Sequence, residues 1–82
     1  MNKMINELFA KCVRVSEKTN ADVFFTYSPH VAWIDVDIHT NGWHKGTPAD
    51  AQFRLRLHNG YGWMRDYADC MAALDELERA NE

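Results

Sequence analysis

Apolar and polar residues alternate in two stretches in the middle of the chain. Residues 34–39 read Ile-Asp-Val-Asp-Ile-His, and residues 53–58 read Phe-Arg-Leu-Arg-Leu-His. A period of two is typical of a β-strand with one face buried and the other in water. We therefore predict that both stretches are strands and that they pair with their acidic side chains opposite their basic ones.

Apolar residues near both ends of the chain follow a helical spacing instead. The first set contains Met4, Ile5, Leu8, Phe9, Cys12, Val13 and Val15. The second set contains Met64, Tyr67, Cys70, Met71, Leu74 and Leu77. These stripes predict one helix that ends near Thr19 and a second that begins near Gly62.

Residues 23–27 are β-branched or aromatic and predict a further strand. Pro29 ends that strand because proline has a fixed φ and no amide hydrogen. With strands at 23–27, 31–39 and 51–58 and a loop at 40–50, the order is helix, three strands, helix. We predict a single α+β domain over residues 1–82, a two-layer sandwich in which a three-stranded antiparallel meander sheet carries both helices on one face.

The predicted strand pairs define an open sheet face with a partner-binding surface. Asp37 opposite Arg54 and Asp35 opposite Arg56 would form a ladder of ion pairs. Tyr27 opposite Val31 would bring Phe25 opposite Trp33 and leave an apolar patch exposed beside that ladder, formed by Val23, Phe25, Tyr27, Val31 and Trp33.

An exposed apolar patch on a small domain marks an interaction site. We expect a second copy of the chain or a protein partner to cover it, or the loop at 40–50 to fold back with Trp43. The predicted partner-binding residues are Phe25, Tyr27, Val31, Trp33, Arg54 and Arg56. The leading hypothesis is a small non-enzymatic interaction module that forms a homodimer.

Composition narrows the classes of function. A hydrophobic fraction of 46% argues against disorder, and a net charge of −3 argues against a non-specific nucleic-acid binder. No run of residues has the length of a membrane span, and no secretory pattern opens the chain. Cys12 and Cys70 fall in the helical stripes and predict reduced core thiols in a cytoplasmic protein.

The predicted last helix has an acidic face formed by Asp66, Asp69, Asp75, Glu76 and Glu78. Such a face can be a solvated surface or a docking site for a basic partner. Small acidic domains of phages inhibit host enzymes by imitating a phosphate backbone. A phage-type inhibitor of a host nucleic-acid enzyme is therefore an alternative hypothesis.

One strand face carries residues that could bind a metal ion or act in catalysis. Asp35, Asp37 and His39 on one strand face could hold a divalent metal ion. The predicted pairing with arginines neutralises these carboxylates, and His39 with His44 lacks the further ligands of a zinc site. We expect no catalytic residue, no metal and no cofactor, and we expect Trp43 and Trp63 to close the ends of the core.

The order of elements resembles the double-stranded-RNA-binding domain. The resemblance rests on Ser28-Pro29-His30 and on the following strand, which ends at Thr40-Asn41-Gly42. A nucleic-acid-binding domain of that topology is a further alternative. The family grips phosphates with lysines at the start of its last helix, whereas residues 65–69 here read Arg-Asp-Tyr-Ala-Asp. The resemblance therefore implies topology and no functional residue.

Overall fold

The computed structural model describes residues 3–58 and 60–80. The elements are α1 (Lys3–Lys18), β1 (Asp22–Ser28), β2 (Trp33–His39), β3 (Ala51–Arg56) and α2 (Trp63–Ala80). The strands are antiparallel in the order β1-β2-β3. The predicted α-β-β-β-α order and meander sheet are confirmed.

The core lies between one face of the sheet and both helices. Its fully buried side chains come from every layer: Ile5, Leu8, Cys12, Val15, Ile34, Val36, Leu55, Cys70 and Leu74. Burial of each large aliphatic side chain contributes about 1.5–3 kcal/mol before entropy is subtracted. An exposed ion pair contributes about 0–1 kcal/mol, so this apolar layer dominates the stability of the fold.

The pairing of β2 with β3 differs from the predicted pairing by two residues. Asp35 lies opposite Arg54, and Trp33 lies opposite Arg56. The predicted pairs of Asp37 with Arg54 and of Asp35 with Arg56 are wrong. Because side chains alternate with a period of two, this shift leaves each residue on its predicted face.

The pairing of β1 with β2 differs from the predicted pairing by three residues, and the two faces of β1 are exchanged. Phe25 lies opposite Val36, and Tyr27 lies opposite Ile34. An odd shift exchanges the two faces of a strand. Val23, Phe25 and Tyr27 therefore lie on the helix side of the sheet, and the predicted patch that combined them with Trp33 is wrong.

The β1–β2 connection explains this second error. Ser28 pairs with Trp33, so the connection comprises residues 29–32. Ala32 has a φ of 54°, and its carbonyl accepts a hydrogen bond of 3.0 Å from the Leu57 amide. An alanine rarely adopts a left-handed conformation, so the sequence predicts a shorter turn than the one that forms.

The loop between β2 and β3 is anchored at both ends. Gly42 has a φ of 90°, a conformation that favours glycine, and the next amide, that of Trp43, donates a hydrogen bond of 2.7 Å to Asp22. The amide of Thr40 donates one of 2.6 Å to Asp50. These bonds hold the loop beside the face of the sheet that carries no helix. In the described parts of the chain, neither helix combines the length and hydropathy that crossing a bilayer requires.

Candidate functional site

The sheet surface away from the helices is here called the open face. It is formed by alternate side chains of the three strands, with the register aligning them in rows: Phe24, Thr26, Ser28, Trp33, Asp35, Asp37, His39, Gln52, Arg54 and Arg56. Both helices pack on the opposite side, against the core. The open face is therefore the side of the sheet that neither helix covers.

Two arginines lie over the ring of Trp33 at one end of the open face. The guanidinium carbon of Arg54 lies 4.2 Å from the centroid of the Trp33 ring, and that of Arg56 lies 5.4 Å from it. A cation over an indole contributes about 0.5–1 kcal/mol at an exposed site. These contacts orient a large aromatic side chain that is only half-buried.

Asp35 fixes the position of Arg54. Arg54 Nε donates a hydrogen bond of 2.7 Å to one Asp35 oxygen, and Nη2 donates one of 3.4 Å to the other. This two-pronged contact raises the pKa of Arg54 above its ordinary value. The guanidinium is thus held over Trp33 before any partner arrives, which lowers the entropic cost of binding through this group.

Arg56 and Asp37 keep their charges available. Arg56 is exposed and forms no ion pair with any described residue, and its contact is the Trp33 ring. Asp37 likewise has no hydrogen bond or ion pair among the described residues. Both line a groove of about 370 Å³ along β2 and β3. A partner could place a carboxylate on Arg56 and a basic group on Asp37.

A second aromatic group lies at the other end of the open face. Phe24 is 45% exposed and contacts His39 edge-on, with ring centroids 5.5 Å apart. Trp43, from the anchored loop, is 53% exposed and lines a depression of about 360 Å³ with them. The expectation that Trp43 closes the core is wrong. The corresponding expectation for Trp63 is confirmed, since Trp63 is buried.

The structure divides the predicted partner-binding residues. Trp33, Arg54 and Arg56 are brought together on the open face. Phe25 and Tyr27 lie on the helix side of β1, and Val31 lies in the turn before β2. Sequence reasoning missed Phe24. The alternative in which the loop at 40–50 folds back with Trp43 agrees with the position of Trp43 beside Phe24. Apolar residues occur on both faces of β1, so alternation could not show which face is buried.

The acidic surface of α2 is smaller than predicted because two of its acids pair with α1. Asp75 contacts the buried Lys11, and Glu78 lies 3.2 Å from the same ammonium. Arg14 also donates hydrogen bonds of 2.7 and 3.3 Å to Glu78. These bonds lower the pKa of Glu78 from 4.5 to about 2. The exposed acids of the predicted face are Asp66, Asp69 and Glu76.

Metal-ligating side chains are dispersed in residues 3–58 and 60–80. Within those ranges no three His, Cys, Asp or Glu residues lie close enough together to hold a metal ion. Cys12 and Cys70 are buried and unpaired. Burial raises the pKa of the Cys12 thiol to about 11 and that of Cys70 to about 12. Neither thiol has the lowered pKa of a reactive cysteine.

The open face thus combines two aromatic sites, a central ion pair, and two charged side chains, Arg56 and Asp37, that form no ion pair with any described residue. The two depressions on it, of about 370 and 360 Å³, are open to solvent. No protein-family model, curated protein or solved structure matches this chain.

Proposed function

We propose that this protein is a non-enzymatic interaction module that binds a protein partner through its open face. The observation that carries the proposal is the Trp33 ring contacted by both Arg54 and Arg56 on a surface that the chain's own helices leave bare. Tryptophan and arginine are enriched among the residues that dominate binding energy at protein interfaces. The contacts among these three side chains order them in the free protein, so less conformational entropy is lost when a partner binds.

The charges of the open face favour a protein over a nucleic acid. Arg54 and Arg56 are balanced on this face by Asp35 and Asp37. A phosphate backbone requires an excess of cations, because its binding energy comes from neutralised phosphates and released counterions. We propose a partner with an apolar or aromatic contact for Trp33 and an acidic side chain for Arg56.

The proposed setting is the cytoplasm, and the proposed working form is a homodimer. Two buried thiols that remain unpaired suit a reducing compartment. Exposed aromatic side chains on a chain of 82 residues favour association with a second copy.

Affinity capture with matched variants tests the open face. The tagged protein is compared with Trp33→Ala and with Tyr61→Ala, which removes an aromatic ring that is 83% exposed and lies outside the sheet. Proteins retained by the wild type are identified by mass spectrometry, and the affinity of each purified candidate is measured by calorimetry. We expect Trp33→Ala to weaken binding by about 2 kcal/mol, roughly thirtyfold, and Tyr61→Ala to leave it unchanged.

Three results would count against this proposal. Equal affinities for Trp33→Ala and the wild type would exclude Trp33 as the centre of the site. Loss of binding in the double variant Asp66→Asn and Asp69→Asn, with Trp33→Ala unaffected, would support the acidic-inhibitor alternative instead. Binding of nucleic acid that requires Arg54 and Arg56 at low salt would support the nucleic-acid alternative.

A further inference from the structure

The outer edge of β1 presents backbone groups that the sheet does not use. The Val23 amide donates a hydrogen bond of 3.0 Å to the Ser16 hydroxyl oxygen, and that hydroxyl donates one of 3.5 Å to the Val23 carbonyl. Both Val23 groups therefore point away from β2. In an antiparallel pair this orientation repeats at every second residue, so the amides and carbonyls of Phe25 and Tyr27 point outward as well.

The available part of this edge is short and sharply bounded. At one end, the backbone of Val23 is already hydrogen-bonded to Ser16. At the other end, Pro29 has no amide hydrogen to donate. Between them, Phe25 and Tyr27 form no hydrogen bond outside the sheet with any described residue. An edge strand with free amides and carbonyls is a template for another strand.

Apolar side chains line the same edge on the helix side. Phe9 of α1 is 51% exposed and contacts Phe25 edge-on, with ring centroids 5.2 Å apart. Val13, one helical turn later, is also exposed and lies between Phe9 and Ser16 along the side of α1 that contacts β1. With Tyr27, these side chains form an apolar strip beside the free backbone groups.

We propose that a second copy of this chain pairs antiparallel with β1 around a two-fold axis at Thr26. In this register Phe25 of each copy lies opposite Tyr27 of the other and exchanges both backbone hydrogen bonds with it. Val23 keeps its contact with Ser16. Each Thr26 faces its own counterpart on the open face, a favourable cross-strand pair.

The charges of the two sheet edges select β1 as the edge that pairs. Residues 23–28 contain no charged side chain, so the proposed register opposes no like charges. The other edge, β3, carries Arg54 and Arg56 on its open face. A two-fold pairing about Arg54 would set that arginine against its counterpart, and like charges directly opposite destabilise a strand pair.

This inference rests on the homodimer of the proposed function and deepens it, because it places the contact between the copies at the β1 edge, a different surface from the open face. The pairing would join two three-stranded sheets into one continuous sheet with all helices on one side. The two copies of Trp33 would then lie about 20 Å apart on a single face. The dimer would present its binding site twice, in one plane.

Sedimentation equilibrium between about 10 µM and 1 mM protein tests the pairing. We expect the wild type to approach twice the chain mass of 9.5 kDa. Tyr27→Pro removes an outward amide that the β1–β2 ladder does not use, so we expect a folded monomer. Thr26→Lys sets two lysines together at the axis, and we expect about tenfold weaker association.

The control for charge is Gln52→Lys. Gln52 is exposed on the same face and lies opposite an aspartate, Asp37, as Thr26 lies opposite Asp35, but it is on β3. We expect Gln52→Lys to dimerise like the wild type. Circular dichroism checks that each variant is folded, and Thr26→Lys decides the question if Tyr27→Pro fails to fold.

A wild type that stays monomeric over this range overturns the proposal, as does a Thr26→Lys variant that dimerises as tightly as the wild type. Trp33→Ala separates the two surfaces. We expect it to remain dimeric, and a monomeric Trp33→Ala would show that the copies meet through the open face instead. A dimeric Trp33→Ala that still binds every partner would contradict only the proposed function.

Discussion

Ala32 shows how one backbone angle determines which side chains meet. Its φ of 54° extends the connection between β1 and β2, so that Ser28 pairs with Trp33. The resulting register directs Phe24 to the open face and Phe25 toward α1. A left-handed conformation costs an alanine roughly 1–2 kcal/mol, which the surrounding turn must offset.

Replacing Ala32 with glycine relieves this strain. We expect Ala32→Gly to stabilise the fold by about 0.5–1 kcal/mol, since glycine adopts a positive φ without a steric clash but adds entropy to the unfolded chain. The measurement is the urea midpoint. Ala72→Gly in the exposed middle of α2 is the matched control and should destabilise by about 1 kcal/mol. If Ala32→Gly lowers the free energy of unfolding, the claim that Ala32 is strained is wrong.

At the scale of elements, α1 and α2 are joined by charge as well as by the core. Lys11 is buried at their interface and contacts Asp75 and Glu78, and Arg14 binds Glu78 from the rim. The basic first helix and the acidic last helix thus neutralise part of each other. This explains why the charge asymmetry of the sequence gives a smaller acidic surface than predicted.

The lowered pKa of Glu78 predicts a pH-dependent link between the helices. In the folded protein its pKa is about 2, below the ordinary value of 4.5, so the folded state binds fewer protons in this interval. The stabilisation is therefore complete above 4.5 and is lost as the pH falls toward 2. We expect Glu78→Gln to cost about 1 kcal/mol near pH 7 and progressively less below 4.5.

Urea unfolding at a series of pH values measures this dependence. Glu76→Gln is the control, because Glu76 is exposed and forms no ion pair with the described residues. Its effect near pH 7 should be small. A cost of Glu78→Gln that persists unchanged at pH 3 would show that the carboxylate charge does not matter.

At the scale of the whole molecule, the apolar side of the sheet contributes stability, and the opposite side carries the proposed binding site. Both helices cover the apolar side of the sheet, and the bare side carries Trp33 and its arginines. The outer edge of β1, which pairs with no further strand of the described chain, lies between these two sides. The proposed binding face and the proposed assembly edge can therefore both form on a chain this small without disturbing its core.

The buried thiols report on the opening of that core. Cys12 and Cys70 have raised pKa values because burial disfavours the thiolate. We expect alkylation near pH 8 to be at least about a hundredfold slower in the folded protein than in urea, and both cysteines to react together on unfolding. Mass spectrometry of timed samples measures both rates.

The same shifts have a second consequence at alkaline pH. The unfolded thiols release protons near the ordinary value of 9.0, whereas the folded ones retain them to about 11 and 12. Stability is therefore complete below 9 and declines as the pH rises above it. Rapid labelling of the folded protein near pH 8 would contradict the buried position of both cysteines.

Local patterns were sufficient for the elements and for part of the site. The alternation at residues 34–39 and 53–58 identifies the faces of β2 and β3, and it places Trp33, Arg54 and Arg56 on one side. β1 was assigned to the wrong face because Phe24 and Phe25 are equally apolar. The sequence also did not predict that Lys11 is buried or that it contacts Asp75 and Glu78, since only packing brings α1 and α2 together.

The sequence by itself determined the order of elements, the antiparallel meander and the buried faces of β2 and β3, because these follow from periodicity and short connections. Tertiary structure alone decided the register of β1, the position of the anchored loop and the pairing of charges between the helices. Those depend on a strained turn and on contacts between distant residues. Neither leaves a periodic signal in the chain.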